Sequence, residues 1–281
     1  MKKIYLKGLT ELRAIAALMV VFHHIELYKT REGFSSLFHT SLKDFISNAG
    51  KNGVYIFFVL SGFLISYLLL AEKERFERIN VRKFYIRRIL RIWPLYYIIV
   101  FLCFFVLPFI ADWIPALSKE SYYFGLIQTL QDAPWKPLLL FIFFLPNLAV
   151  YLAAPVAGAS QAWSVGVEEQ FYLIWPHLFN KFHNKTTFIS VLVFICLTPI
   201  IPEIVSLFDL NLSEKAMIII NIFPIHYMAF GAIGAFFLFE PSKLITSLLN
   251  NHFLFLFNTI LFITFLFVKV PWYLHGSIIA T

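Results

Sequence analysis

Apolar residues arrive along this chain in runs rather than in alternation. Stretches near 9–29, 53–71, 93–111, 163–180, 186–205, 216–239 and 253–270 each approach the length a helix needs to cross a hydrocarbon core, about 20 residues. Residues 57–71, FFVLSGFLISYLLLA, lack the period of two that marks a barrel strand, so the spans read as helices. The apolar piece 137–152, PLLLFIFFLPNLAVYL, is shorter and carries Pro146-Asn147 within it. Irregular backbone at membrane depth survives only inside protein or along a cavity, so this piece suits a broken, re-entrant segment. The pattern predicts an all-α, polytopic transmembrane bundle of seven to eight spans, with 137–152 re-entrant.

Composition supports the same class. The chain is 60% hydrophobic and 14% charged, whereas soluble domains seldom exceed about 50% apolar. No internal repeat, soluble domain or low-complexity tail interrupts it, which predicts one membrane domain over 1–281. The opening MKKIYLK resembles a secretory leader, but Glu11 and Arg13 break the apolar run behind it and no small-residue cleavage site follows, so it reads as a retained first span. Cys103 and Cys196 lie inside apolar runs, as small hydrophobes do, and give no disulfide or metal spacing.

Charge sets an expected orientation. Residues 72–92 hold eight basic side chains, Lys73, Arg75, Arg78, Arg82, Lys83, Arg87, Arg88 and Arg91, against Glu72, Glu74 and Glu77. Together with Lys2, Lys3 and Lys7 they place the N-terminus and this loop in the cytoplasm by the positive-inside rule. With 137–152 re-entrant, Lys181 and Lys185 also lie inside, and Glu203, Asp209 and Glu214 lie outside.

Three stretches place polar chemistry at membrane depth. In LRAIAALMVVFHHIELYK, residues 12–29, Arg13 and His24 are eleven helical steps apart. At about 100° and 1.5 Å per step they share a face to within roughly 20° and are separated by about 16 Å, while His23 turns about 80° away. Arg13 is open to two readings: an interfacial arginine that snorkels, or one end of a functional face. An imidazole suits proton transfer from a hydroxyl near neutral pH, and His-His is no better an interfacial anchor than Trp or Tyr.

In AWSVGVEEQFYLIWP, residues 162–176, Glu168 shares a helix face with Tyr172 and Trp175. Here a helix start capped by Ser164, with its glutamates favoured by the dipole, competes with a buried functional carboxylate. The Ala162-x-Ser164-x-Gly166 spacing is no nucleophile elbow, which requires a strand-to-helix turn on a sheet. In FYIRRILRIWPLYY, Arg87, Arg88 and Arg91 form a basic surface helix that either holds anionic lipid or binds phosphate. Nucleic acid is not expected as a partner, because lipid-seeking aromatics surround this cluster.

LRAIAALMVVFHH, GVYIFFVLSGFLIS, FYIRRILRIWPLYY and WSVGVEEQFYLIWP, in this order, resemble the acyltransferase 3 family of integral-membrane O-acyltransferases, over roughly residues 7–180. The resemblance implies a basic residue and histidine pair at Arg13 and His24, an arginine motif at Arg88 and Arg91, and an acidic helix start at Trp163, Ser164 and Glu168. Two features depart from the family. Tyr55 stands where members often carry an acid, and the chain reads as short at its C-terminus.

What the resemblance implies is transfer of an acyl group, most simply acetyl, from cytoplasmic acyl-CoA to a hydroxyl of a cell-surface or lipid-linked carbohydrate. Acyl-CoA (acetyl-CoA) is then a co-substrate rather than a resident cofactor, and no metal is called for. Arg13, Arg88 and Arg91 would take the donor's phosphates. His24 would act as general base or acyl relay, and Glu168 would orient the imidazole or the acceptor. The expected location is the inner (plasma) membrane, multi-pass, in contact with membrane lipids. Two rival functions are a transporter or flippase of lipid-linked saccharides, which would show repeat symmetry between halves, and an inactive truncated scaffold, in which Arg13 and His24 are replaceable.

Overall fold

Glycine and small residues, rather than the apolar runs themselves, decide how the helices meet. The computed structural model describes residues 8–114, 121–153, 155–181, 185–201 and 222–268. Lys2, Lys3, Lys7, Glu203, Asp209 and Glu214 lie outside the described residues, as do the expected span ends at 202–205, 216–221 and 269–270. Among the described residues every regular element is helical, and the chain folds as two compact units.

The first unit comprises 1–77, 184–213 and 225–281. Its helices are α1 (Leu9–Arg31), α2 (Lys43–Phe76), α8 (Lys185–Leu197), α9 (Ile225–Phe239), α10 (Lys243–Leu249) and α11 (His252–Phe267). Helix α2 is the centre of this unit, with α1, α9 and α11 packed on it and α8 on α9. Between α2 and α9 the backbones nearly touch. A Cβ at Gly62 would fall 2.6 Å from Cα of Met228, and one at Gly231 would fall 2.8 Å from the Phe63 nitrogen. Between α1 and α2 the same device recurs: a Cβ at Gly53 would lie 2.8 Å from the Ala16 carbonyl oxygen. Lipid offers no hydrophobic drive for helix association, so close backbone approach through small residues supplies dispersion instead.

The second unit comprises 78–183 and 214–224. It holds α3 (Val81–Phe101), which runs on through a π turn at Leu102–Val106 and a last stretch to Trp113, then α4 (Tyr122–Asp132), α5 (Trp135–Ile142), α6 (Pro146–Leu152) and α7 (Trp163–Lys181). Asn80 caps α3 by accepting from the Lys83 amide at 2.9 Å, so the basic run forms the first three turns of that helix. Tyr96, Val100, Phe104, Phe141, Phe144 and Ala149 form the core that joins α3 to α5 and α6.

By length and apolarity, two helices among the described residues suffice to cross a membrane, α2 and α3 continued to Trp113. They become three if α9 and α10, bent by 114° at their break, count as one. Seven to eight apolar spans are therefore not reached among the described residues. Helices α1 and α7 are interrupted by the charged side chains that carry the candidate chemistry, and α11 and the apolar part of α8, Phe188–Leu197, are short. Two spans are also longer than hydropathy indicated. Helix α2 starts at Lys43 because the polar KDFISNAGKN stretch is helical, with Asn48 and Asn52 buried.

The 137–152 piece is broken, as expected. Helix α5 ends at Ile142, Phe144 takes a left-handed φ of 55°, and α6 begins at Pro146. Carbonyls freed at the break find donors from neighbouring helices: Tyr96 OH donates to Phe141 O (2.8 Å), Tyr97 OH to Ile142 O (2.9 Å) and Gln170 Nε2 to Phe144 O (2.7 Å). Gly166 lets α7 press on the break, since a Cβ there would lie 2.6 Å from Pro146 Cγ. A broken segment whose polar backbone is satisfied by protein is the form the bilayer tolerates.

Candidate functional site

In the first unit, the packed stripe of α1 runs through Ala16, Met19, Val20 and His23 against Gly50 and Gly53 of α2. His23 is part of that contact. Its Nδ1 lies 3.1 Å from the Ile46 carbonyl oxygen, a Cβ at Gly50 would collide with its ring, and its ring meets that of Phe38 edge-on at 5.6 Å. His24 sits one residue on, half-buried on the flank of the stripe, with its ring 5.3 Å from that of His23. Its Nδ1 is 2.7 Å from the Val20 carbonyl oxygen of its own helix. A carbonyl can only accept, so Nδ1 carries the proton, and in the neutral ring Nε2 holds the lone pair. Arg13, also half-buried, falls on the His24 side of the helix by the same 100° step.

One turn beyond the histidines sits Glu26, which the sequence reading passed over. It is buried, and its Oε2 accepts from the Leu37 amide (2.7 Å) and the Ser36 hydroxyl (2.9 Å), while Oε1 pairs with Lys29 at 2.8 Å. The connection from α1 to α2 is thereby tied down beside the histidine pair, which brings Phe38 onto His23.

In the second unit, the arginine and glutamate stretches come together. The Arg88 guanidinium lies over the rings of Tyr172 (5.5 Å) and Phe84 (5.7 Å) and interacts electrostatically with Glu168 and Glu169. Tyr172 OH donates to Glu168 Oε2 at 2.9 Å, on the helix face that the sequence spacing gave them. Tyr85 OH donates to the Leu173 carbonyl at 2.6 Å and fastens α3 to α7. Arg91 is exposed, and its charge acts on Arg88.

The capped-start reading of α7 does not hold. The helix opens at Trp163 with no acidic residue in its first turn, and the Ser164 hydroxyl donates to the Gln161 carbonyl at 3.4 Å instead of accepting from an amide. The more deeply buried carboxylate is Glu169, whose Oε2 accepts from Trp93 Nε1 at 2.9 Å. Sequence spacing favoured Glu168 because its partner lies on the same helix, whereas the partner of Glu169 is 76 residues away. Gln170, which bridges Phe144 O and Asn147 Oδ1, was likewise invisible in the sequence.

Comparison with known sequences identifies the family. The profile of the acyltransferase domain family matches residues 6–281, almost the whole chain. The chain belongs to the acyltransferase 3 family. The peptidoglycan O-acetyltransferase OatA of Listeria monocytogenes is 29% identical over 176 residues, 61% of this chain and 24% of the relative. The putative peptidoglycan O-acetyltransferase YrhL of Bacillus subtilis is 29% identical over 172 residues, 61% of this chain and 23% of the relative. The O-acetyltransferase OatA of Staphylococcus aureus is 29% identical over 172 residues, with 61% and 24% covered. The chain thus spans about a quarter of the length of the curated relatives it matches. No solved structure matches it. Tyr55, the departure from the usual acyltransferase 3 pattern, stacks on Tyr227 at 4.0 Å and joins α2 to α9.

Proposed function

We propose that this acyltransferase 3 chain moves an acetyl group from acetyl-CoA to a hydroxyl of a cell-envelope carbohydrate, with His24 as the base. The relatives named as peptidoglycan O-acetyltransferases support the acetyl group and the carbohydrate acceptor. What supports the base most directly is the 2.7 Å bond from His24 Nδ1 to Val20, which fixes the tautomer with Nε2 as acceptor. In the step, Nε2 takes the proton of the sugar hydroxyl as its oxygen attacks the thioester carbonyl. The carbon–sulfur bond then breaks, and the imidazolium returns the proton to the departing sulfur, giving the ester and free CoA.

Arg88 and Arg91 contact the donor's phosphates, and Arg13 marks the cytoplasmic end of the face that His24 occupies. The basic first turns of α3 support this reading: Arg82 and Lys83 stand at a helix N-terminus, where the dipole disfavours cations and an anion relieves the cost. The N-terminus is cytoplasmic, the chain lies in the plasma membrane, and the further spans beyond the two or three apolar ones are the charged helices α1 and α7 and the short α8 and α11. Glu168, bonded to Tyr172 beside Arg88, orients a substrate group.

Mass spectrometry of envelope glycans from cells with the gene, without it, and with His24→Ala tests the reading. One acetyl increment should appear only with the unaltered gene. Glycans that keep that increment in His24→Ala cells making normal amounts of protein would overturn the role of His24.

A further inference from the structure

Glu169 is the most deeply buried acid of the second unit among the described residues, with 6% exposure, and the roles above leave it unused. Its Oε2 is engaged by Trp93 Nε1. Its Oε1 is buried without a hydrogen-bond partner, and so is Nε of Arg88. The two groups belong to one cluster. Arg88 lies over Tyr172, one helical turn from Glu169, and its charge acts on the Glu169 carboxylate. Folded proteins rarely leave such atoms unpaired, and here an acceptor and a donor are orphaned together.

The chemistry of the missing partner follows. A phosphate would satisfy Arg88 Nε but offers no proton to Oε1, and its charge repels the carboxylate. An apolar chain would satisfy neither. A neutral group that accepts and donates at once, an amide or a hydroxyl, completes both.

Position narrows the source. From Arg88 to Trp93, α3 climbs five residues, about 7.5 Å, so Glu169 lies level with Trp93 and deeper along the apolar part of α3 than the arginines. The rings of Trp93 and Phe144, 5.1 Å apart, adjoin it. We infer that Glu169 Oε1 and Arg88 Nε receive an amide or hydroxyl of the donor's pantetheine arm, next to the phosphates held by Arg91 and by the other guanidinium nitrogens of Arg88. This inference rests on the acyl-CoA donor proposed above.

Calorimetry on the detergent-purified full chain, with acetyl-CoA and with 3′,5′-adenosine bisphosphate as probes, tests it. Glu169→Gln keeps an acceptor for Trp93 but puts an amide where the second carboxylate oxygen was. It should weaken acetyl-CoA about 10- to 100-fold, the range of one lost hydrogen bond to a charged group, and leave the bisphosphate, which has no arm, unchanged. Retained bisphosphate binding also shows that the variant is folded. Unchanged acetyl-CoA affinity would overturn the inference and assign the pair to a water or to the acceptor's hydroxyl. Equal weakening of both probes would overturn it too, as would a wild type that binds acetyl-CoA but no bisphosphate. Should Glu169→Gln bind neither probe, Trp93→Phe, which releases the carboxylate while keeping an aromatic ring, must show the selective loss or the inference fails. A wild type that binds neither probe refutes the acyl-CoA donor itself.

Discussion

Adjacent histidines on one helix give the sharpest test of the site, because the structure assigns them different work. Replacing His23 with Ala removes its bond to the Ile46 carbonyl, worth about 1 kcal/mol, and its edge contact with Phe38, worth about 0.5–1.5 kcal/mol. With the hole left against Gly50, the loss of stability should be about 1–3 kcal/mol. Replacing His24 removes a bond to Val20, whose carbonyl keeps its backbone partner within α1, and the edge contact with His23 that either substitution loses, so stability should fall by about 1 kcal/mol, less than for His23→Ala. Turnover should show the reverse order. Loss of a general base costs about 10²- to 10⁴-fold, equivalent to about 2.7–5.4 kcal/mol of barrier. Thermal unfolding and acetyl-transfer rates on the same detergent-purified variants separate the two effects. If His23→Ala and His24→Ala lose turnover equally while equally stable, the assignment of His24 as base is wrong.

Three further outcomes are expected. Arg88→Ala or Arg91→Ala should weaken acetyl-CoA binding by about 1.5–3 kcal/mol in calorimetry, with Arg→Lys restoring only part; added salt should erode the contribution of exposed Arg91 more than that of half-buried Arg88. Gln170→Leu leaves the Phe144 carbonyl and the Asn147 amide oxygen without this donor and should cost about 2–4 kcal/mol, seen as a lower unfolding temperature and as proteolysis near 143–145. If the broken 137–152 segment re-enters, Lys185→Cys should stay unlabelled by an impermeant thiol reagent applied to intact cells; labelling from outside would mean that it crosses.

Much of this was legible in the sequence because its physics is local. Apolar runs predicted helices, Pro146 announced the break, and the 100° step separated His24 from the face on which His23 packs. The i+4 spacing put Glu168 and Tyr172 on one face, where the structure shows them bonded. What stayed hidden depends on partners far along the chain. Spacing favoured Glu168, and only Trp93 of α3 shows that Glu169 is the held carboxylate; nothing local marks Gln170 as the donor that the Phe144 carbonyl at the break needs. Glu26 went unnoticed, because nothing in its neighbours reveals that the Leu37 amide returns to it.

The side-chain donors at the break impose an order on biogenesis. Tyr96 and Tyr97 precede the segment in the chain, so they have already been synthesised when the carbonyls of Phe141 and Ile142 emerge. Gln170 follows Phe144 by 26 residues, so that carbonyl must wait for α7 before its bond can close. Until then the half-made segment is poorly suited to lipid and is best kept beside the insertion machinery or in water. Delivery of α7 is therefore the event that commits 135–152 to its place, and a ribosome stalled between the two would leave a nascent chain exposed to quality control.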